Sequence, residues 1–298
     1  TGNKGVVDNQ GKIVVPVEFS DVGNYEGPFN WISVSKYNKD QYEMSGFYDE
    51  KGNKITEPIY NICGTYSDET NAKSEIFICI ERQNGEGRGA LDKNGKAILP
   101  PDFEDVDFTD SVFKVSKLDR KAEIGGIYNP SCGYLNENGS VLIPLQYLSC
   151  SRFSNGLATV LDKHGWKIIN KKNEIVKDLA NNFESVSQFS HGFSNVGKNG
   201  KQGIINTKGE IVVPLIYDYI YHYNDVIQVK KGDKSGIIDA SGKIIVPIIY
   251  EDVSLSTCKE KVFGKKGEKY TWYNLEGKRL SDNIPISQCY NEEYSMED

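Results

Sequence analysis

The sequence predicts an all-β fold, built as a tandem array of about seven and a half short repeats. One four-residue turn recurs along the chain, and strand-length apolar runs lie on both sides of each copy. The chain has 29 Gly and 18 Tyr but only two Met, which favours turns and strands over helices. Short apolar runs bounded by turn residues are typical of β-strands. We therefore expect two hairpins in each repeat, and no helix longer than about two turns.

The recurring turn begins with Asp or Asn and ends, three residues later, with Gly. An Asp or Asn side chain accepts a hydrogen bond from the backbone two residues on, and Gly adopts the positive φ that closes a hairpin. One copy has Asn173 in place of Gly, and Asn is the next most tolerant residue at positive φ. The eight copies begin at Asp8, Asp49, Asp92, Asn136, Asn170, Asn206, Asp239 and Asn274.

The strands beside each turn also follow a pattern. Before the turn stands a short apolar strand opened by Gly, as in Gly5-Val-Val, and after it comes Lys-Ile-Val-Val-Pro or a relative, followed by an aromatic residue. Because Pro cannot donate to a sheet ladder, we expect this slot to end the second strand or to lie on a sheet edge. The proline slot is filled by Pro16, Pro58, Pro100, Pro144, Pro214 and Pro247.

The first three repeats are longer than the last four. Their turns are 41 to 44 residues apart, against 33 to 36 later in the chain, and the extra residues lie near 37–44, 68–75 and 117–132. Repeat proteins usually place such insertions on one face, often the binding face. Aromatic and Arg side chains outside the repeat register are favoured interface residues. The candidate binding residues are therefore Tyr37, Tyr42, Arg120 and Tyr128.

This pattern, Gly-Tyr/Ile-Ile-Asp-x-x-Gly-Lys-Ile-Val-Ile-Pro-x-x-Tyr-Asp, resembles the WG (Trp-Gly) repeat of bacterial proteins. The Trp-Gly pair that names the family would place a Trp directly before the Gly that opens the strand, and we call this position the Trp slot. The resemblance covers residues 5 to about 280, but only Trp166 fills the Trp slot. Elsewhere the slot holds Lys4, Ser45, Arg88, Cys132, Gln202 and Ser235. The family implies repeats used for interaction and supplies no catalytic residues. We expect a repeat domain over 1–280, with longer repeats in 5–132 and shorter ones in 133–280, and an acidic tail over 281–298.

Two arrangements of the repeats fit these lengths. The array begins at a complete unit and ends on an extra half unit, residues 271–280, which favours an open twisted stack. The alternative is a closed seven-bladed β-propeller.

Composition limits the partners and the compartment. The net charge of −7 is spread along the chain, and a nucleic-acid partner would need a coherent basic face. No apolar stretch reaches the ~18 residues of a membrane span. The six Cys include no C-x-x-C pair. An even count permits disulfides, but a chain this long does not need them, which favours buried free thiols and a reducing, cytoplasmic compartment. An exported or cell-surface location is the alternative if a leader has been removed.

No catalytic, metal or cofactor site is indicated. His164, His191 and His222 have no metal-ligand spacing, and Asn replaces the turn Asp in half the copies, although Asn cannot act as a general acid or base. The leading hypothesis is a non-catalytic scaffold for protein–protein interaction. A carbohydrate or cell-wall binding module is the alternative, suggested by the Tyr content and by Tyr270-Thr-Trp-Tyr273. A propeller-type glycosidase is the third.

Overall fold

The computed structural model describes residues 2–25, 29–68, 75–82, 87–124, 127–223, 226–255 and 261–282. This part of the chain contains 29 strands and no helix; accordingly, it has no helix long and apolar enough to cross a membrane. The chain divides into two compact units. Unit 1 comprises Thr1–Lys163 and Ile169–Glu174, and unit 2 comprises His164–Ile168 and Ile175–Asp298.

All the sheets are meanders, in which strands adjacent in sequence pair side by side. A two-stranded sheet comes first and consists of β1 (Lys4–Val7) and β2 (Ile13–Phe19). A seven-stranded sheet follows, with β3 (Asp21–Asn24), β4 (Trp31–Tyr37), β5 (Glu43–Asp49), β6 (Lys54–Tyr66), β7 (Phe77–Glu81), β8 (Arg88–Leu91) and β9 (Ala97–Phe103).

Five four-stranded sheets complete the described array. The first two contain β10 (Asp105–Thr109), β11 (Val112–Ile124), β12 (Ile127–Asn136) and β13 (Val141–Tyr147), then β14 (Ser149–Cys150), β15 (Leu157–Asp162), β16 (Gly165–Asn170) and β17 (Ile175–Ala180). The next two contain β18 (Ser185–Val186), β19 (Phe193–Lys198), β20 (Lys201–Asn206) and β21 (Ile211–Tyr217), then β22 (Tyr219–Tyr223), β23 (Val226–Lys231), β24 (Lys234–Asp239) and β25 (Ile244–Tyr250). The last contains β26 (Asp252–Leu255), β27 (Lys261–Lys266), β28 (Lys269–Asn274) and β29 (Arg279–Asp282).

The long strand β6 joins two repeats. Its first half pairs with β5 and its second half with β7, so the seven-stranded sheet is two four-stranded units that share β6. The described chain thus holds seven four-stranded units and one two-stranded unit, which confirms the predicted array of two-hairpin repeats. The half unit is β1–β2, however, whereas 271–280 lies in the last hairpin of a complete sheet. The expected terminal cap is therefore wrong, and an open stack no longer follows from it.

Every recurring turn joins two consecutive paired strands, as predicted: β1 and β2 at the first copy, and the third and fourth strands of a four-stranded unit at each later copy. At the first copy, Asp8 Oδ1 accepts hydrogen bonds from the N–H groups of Gln10 and Lys12, both at 2.9 Å. Gly11 closes this turn at φ +82°. Asn173 closes the copy that lacks Gly at φ +64°, which confirms it as the substitute for Gly.

In six repeats a Gly in the strand before the recurring turn faces a bulge in the strand after it. Cys132 pairs with Tyr147 and Tyr134 with Ile143, so a step of two residues on β12 matches a step of four on β13. A Cβ on Gly133 would lie only 2.5 Å from the carbonyl oxygen of Pro144. The proline slot therefore lies inside the bulge of a strand that, in the four-stranded sheets, is the sheet edge. Of the two predicted positions, a strand end or a sheet edge, the structure shows the sheet edge.

The core lies between consecutive sheets. Leu99 and Phe103 of β9 pack with Phe108 and Phe113 of the next sheet, and all four are buried. Tyr217 and Tyr250, which are the aromatic residues that follow the proline slot in their repeats, are also buried, and each is 6% exposed. Within unit 1 and within unit 2, core residues thus pack neighbouring sheets against each other, as a repeat array requires.

In five repeats the residue in the Trp slot links its sheet to the start of the next, through a hydrogen bond, an ion pair or a disulfide. Trp166 donates its Nε1–H to the carbonyl oxygen of Glu184 at 3.4 Å. Gln202 Oε1 accepts from the N–H of Ile220 at 2.9 Å. The remaining described joints are the ion pairs Lys4–Asp21 (2.5 Å) and Arg88–Asp105 (3.7 Å) and the disulfide Cys132–Cys150. This variety explains how the repeat persists with a single Trp in the slot.

Two disulfides contradict the expectation of free thiols. Cys63 pairs with Cys79 at a Cα–Cα distance of 5.1 Å, and Cys132 pairs with Cys150 at 6.0 Å. Cys258 and Cys289 lie outside the described residues. Spacing alone does not show which Cys side chains meet across strands, so the sequence could not find these pairs. Because disulfides persist in oxidising environments, the reason given for a reducing compartment no longer holds.

Candidate binding surfaces

Two of the three insertions extend the same hairpin of their sheets, the one between the second and third strands. Strands β4 and β5 stay paired out to Tyr37 and Glu43, and β11 and β12 out to Asp119 and Asn129 and beyond. In a meander this hairpin lies at the end opposite the recurring turns. The hairpins β4–β5 and β11–β12, named the long hairpins below, therefore project from the same end of their own sheets.

Most of the second insertion, residues 69–74, falls outside the described part of the chain. The strands on either side of it are β6, which ends at Tyr66, and β7, which begins at Phe77. Asp68 is only 4% exposed, and its Oδ2 accepts a 2.7 Å hydrogen bond from the N–H of Asp110 in the following sheet. The face on which this insertion lies stays a prediction.

The tip of β4–β5 contains a ninth copy of the recurring turn. Asn38 Oδ1 accepts from the N–H groups of Asp40 at 2.8 Å and Tyr42 at 3.1 Å, and Gln41 occupies the Gly position at φ +65°. The sequence pattern missed this copy because it required Gly or Asn there. The same hydrogen bonds therefore shape both the scaffold turns and the tip of a long hairpin.

Gln41→Gly should raise the free energy of unfolding by about 0.5–1 kcal/mol. The left-handed conformation costs an L-residue about 1–2 kcal/mol, and the greater freedom of Gly in the unfolded chain offsets part of that gain. Urea unfolding would measure the change. The control is Asn173→Gly in the equivalent position, where the gain should be smaller because Asn tolerates positive φ. A loss of stability in the Gln41 variant would contradict the turn assignment.

The two described candidate residues at this tip are exposed but do not form a pair. Tyr37 and Tyr42 expose 55% and 51% of their surface. Tyr37 lies opposite Glu43, and successive side chains alternate between faces of a strand, so the two rings point to opposite faces of the hairpin. Arg120 and Tyr128 lie in β11 and β12, past the Asp119–Asn129 pair, and their side chains fall outside the described part.

An aromatic platform that the sequence pattern did not single out lies in unit 2. Tyr219 and Tyr221 on β22 stack with ring centroids 6.4 Å apart and ring planes 11° from parallel. They are 48% and 46% exposed, on the first strand of their sheet. The signal was available, since two Tyr separated by one residue in a strand share a face.

The titratable groups form no constellation suited to catalysis within the described residues. His222 Nε2 lies 2.6 Å from Asn195 Oδ1; burial, and secondarily the charge of His191, lowers the pKa of His222. The turn carboxylate of Asp49 has its pKa lowered, chiefly by a hydrogen bond from the Asn53 side chain. The described part contains no group of three or more His, Cys, Asp or Glu placed to hold a metal ion.

A groove in unit 2 is lined by Lys side chains. Its volume is about 610 Å³, and it lies between the edge strands β17 and β21. Leu179 and Phe183 contribute apolar lining, and the positive charges come from Lys177, Lys198 and Lys201. The candidate binding residues were predicted in the insertions, so the sequence analysis did not indicate this groove.

The described chain consists of serial two-hairpin sheets with a buried core between them, and it contains no catalytic cluster. These features define a tandem β-repeat protein. The model of the WG containing repeat matches six segments, residues 5–39, 46–69, 89–120, 133–163, 203–234 and 236–257, which together exceed half the chain. The chain belongs to the WG repeat family. The matched segments leave out 164–202, which includes β17 and the groove lysines Lys177, Lys198 and Lys201.

Comparison with other proteins adds only distant similarity. No curated protein matches the chain. Among solved structures, a eukaryotic initiation factor is similar at 10% identity and a TM-score of 0.44, covering 92% of this chain and 80% of its own. Hsv2 of Kluyveromyces lactis is similar at 11% identity and a TM-score of 0.42, covering 77% of this chain and 79% of its own. Apo AztD of Citrobacter koseri is similar at 9% identity and a TM-score of 0.36, covering 93% of this chain and 90% of its own. These scores assign no activity to the chain.

Proposed function

We propose that the protein is a non-catalytic scaffold for protein–protein interaction and that the long hairpins carry its recognition residues. The observation that supports this is the hairpin β4–β5, which extends past the regular repeat and exposes more than half of Tyr37 and of Tyr42. Loops and hairpin tips held on a rigid framework are where recognition residues accumulate, and Tyr is favoured at interfaces. The buried core between sheets supplies that framework.

Shortening the long hairpins tests this proposal. Residues 37–44 and 119–130 would be replaced by two-residue turns with the sequence of Asn199-Gly200, which connects β19 and β20. A partner would first be identified by capture on the intact chain, and its affinity for both proteins would be measured by calorimetry. We expect binding to weaken about tenfold or more, with the melting temperature nearly unchanged.

A matched control separates the hairpin tyrosines from exposed aromatics in general. Tyr37→Ala/Tyr42→Ala should reproduce much of the loss, whereas Tyr219→Ala/Tyr221→Ala, an equally exposed pair on β22, should bind the partner normally. Unaltered affinity of the doubly shortened protein would rule out the long hairpins as the binding site.

Carbohydrate binding is the second candidate function, and Tyr219 and Tyr221 favour it. Two nearly parallel rings on one face offer a flat surface for stacking against sugar rings. On a glycan array the intact chain would bind a defined glycan, and Tyr219→Ala/Tyr221→Ala would abolish the signal. A signal that persists in this variant would exclude the platform.

A further inference from the structure

Strand β17 departs from the fourth strands of the other repeats. Six of those strands carry a Pro in the slot where β17 has Asp178. Five of the six β17 residues are exposed, whereas β13 and β21 share a more buried, alternating pattern. In the described sheet β17 lies at the edge, next to β16 alone. The repeat that contains β17 therefore lacks the Pro that six other repeats have.

The missing Pro bears on what this edge can pair with. A Pro on an edge strand removes an N–H donor and discourages the addition of another strand. Strand β17 keeps all its N–H groups; that of Ala180 donates to Asp178 Oδ1 at 2.8 Å. The other fourth strand without Pro, β29, has four residues within the described part of the chain. Among the described fourth strands, β17 is therefore the longer one without Pro, and an added strand can pair at its edge.

The groove beside β17 carries positive charge. Lys201 forms an ion pair with Asp218, and Lys198 Nζ donates to the carbonyl oxygen of Asn181 at 3.4 Å. Within the described residues, Lys177 and Lys198 form no ion pair with a carboxylate. Asp178 is the single acidic residue of the lining. Since the whole chain has a net charge of −7, this groove is a local exception.

We propose that the groove binds an acidic, extended peptide segment of a partner protein, which pairs with β17 as a fifth strand. Strand addition supplies backbone hydrogen bonds, and side chains on alternate positions supply specificity. The carboxylates of the peptide would face Lys177 and Lys198, and its apolar side chains would contact Ile211, which is 55% exposed. This surface adds to the proposed scaffold function and does not depend on the long hairpins.

The charge requirement is tested with a fluorescein-labelled peptide of four Glu-Val repeats and the intact chain, by fluorescence anisotropy. Lys177→Glu/Lys198→Glu should weaken binding about tenfold or more. The matched control is Lys231→Glu, because Lys231 faces Lys234 on β23–β24 just as Lys198 faces Lys201 on β19–β20. Equal affinity for a Lys-Val peptide, or an unchanged affinity in the double variant, would overturn the proposal.

Strand pairing is tested on the peptide, which leaves the protein fold untouched. Two versions would carry N-methyl groups on alternate amides, one on the odd and one on the even positions. One version should lose binding about tenfold or more while the other retains it, because only one edge of an added strand faces β17. Equal affinities would exclude strand addition. Shortening the long hairpins should leave peptide affinity unchanged, which separates this proposal from the scaffold proposal.

Discussion

Gly139→Ala should lower the free energy of unfolding by about 3 kcal/mol or more, whereas Gly11→Ala should cost only about 1 kcal/mol. Both residues close the same recurring turn at nearly the same φ, +79° and +82°. A Cβ on Gly139 would lie 2.3 Å from the carbonyl oxygen of Ile98 in the preceding repeat, whereas a Cβ on Gly11 meets nothing within 4 Å. The first substitution thus adds a backbone clash to the conformational cost that both share.

Urea unfolding of the two variants measures the difference directly. Gly139 and Gly11 have nearly the same φ, so the turn conformation costs both variants about the same. The additional loss of unfolding free energy in the Gly139 variant therefore measures how closely its turn approaches the preceding repeat. Gly95→Ala should behave like Gly139→Ala, since its Cβ would lie 2.6 Å from the carbonyl oxygen of Ile55. Equal losses at Gly11 and Gly139 would show that the turn conformation alone requires Gly.

The recurring Gly shows which features could be predicted from the sequence and which could not. Its positive φ was predictable, because turn chemistry is local and involves only the four residues of the turn. Its contact with the preceding repeat was not, because Gly139 and Ile98 are distant in sequence and their approach depends on how the sheets stack. The bulge opposite Gly133 was missed for a related reason, since register is a property of two strands together.

The candidate binding surfaces were predicted in part. The exposure of Tyr37 and Tyr42 followed from their position outside the repeat register, but their separation onto opposite faces depends on the register of β4 with β5. The groove beside β17 was not predicted, because the sequence feature that indicates it is the absence of a Pro. The repeat with Asn173 lacks Pro, and a missing residue indicates an open edge only once the strand order is known.

The disulfide Cys132–Cys150 should contribute about 3 kcal/mol to stability. It closes a loop with a sequence separation of 18 residues, and cross-links that close loops of this length restrict the unfolded chain by about that amount. It also occupies the Trp slot, where Trp166 and Gln202 use hydrogen bonds to reach the next sheet. Removing it should therefore loosen a joint between repeats as well as free the unfolded chain.

Cys132→Ala/Cys150→Ala, unfolded in urea without reductant, should show this loss relative to the oxidised wild type. Reductant should destabilise the wild type by at least as much, because it also opens Cys63–Cys79, while the double variant should respond only through the second pair.

The Cys63–Cys79 bridge lies within one sheet and the Cys132–Cys150 bridge between two. Restoring the slot chemistry with Cys132→Gln/Cys150→Ala should recover part of the loss, since Gln202 shows that an amide can accept from the next sheet. Wild-type stability in the oxidised double variant would mean that the joint is held by packing of the sheets alone.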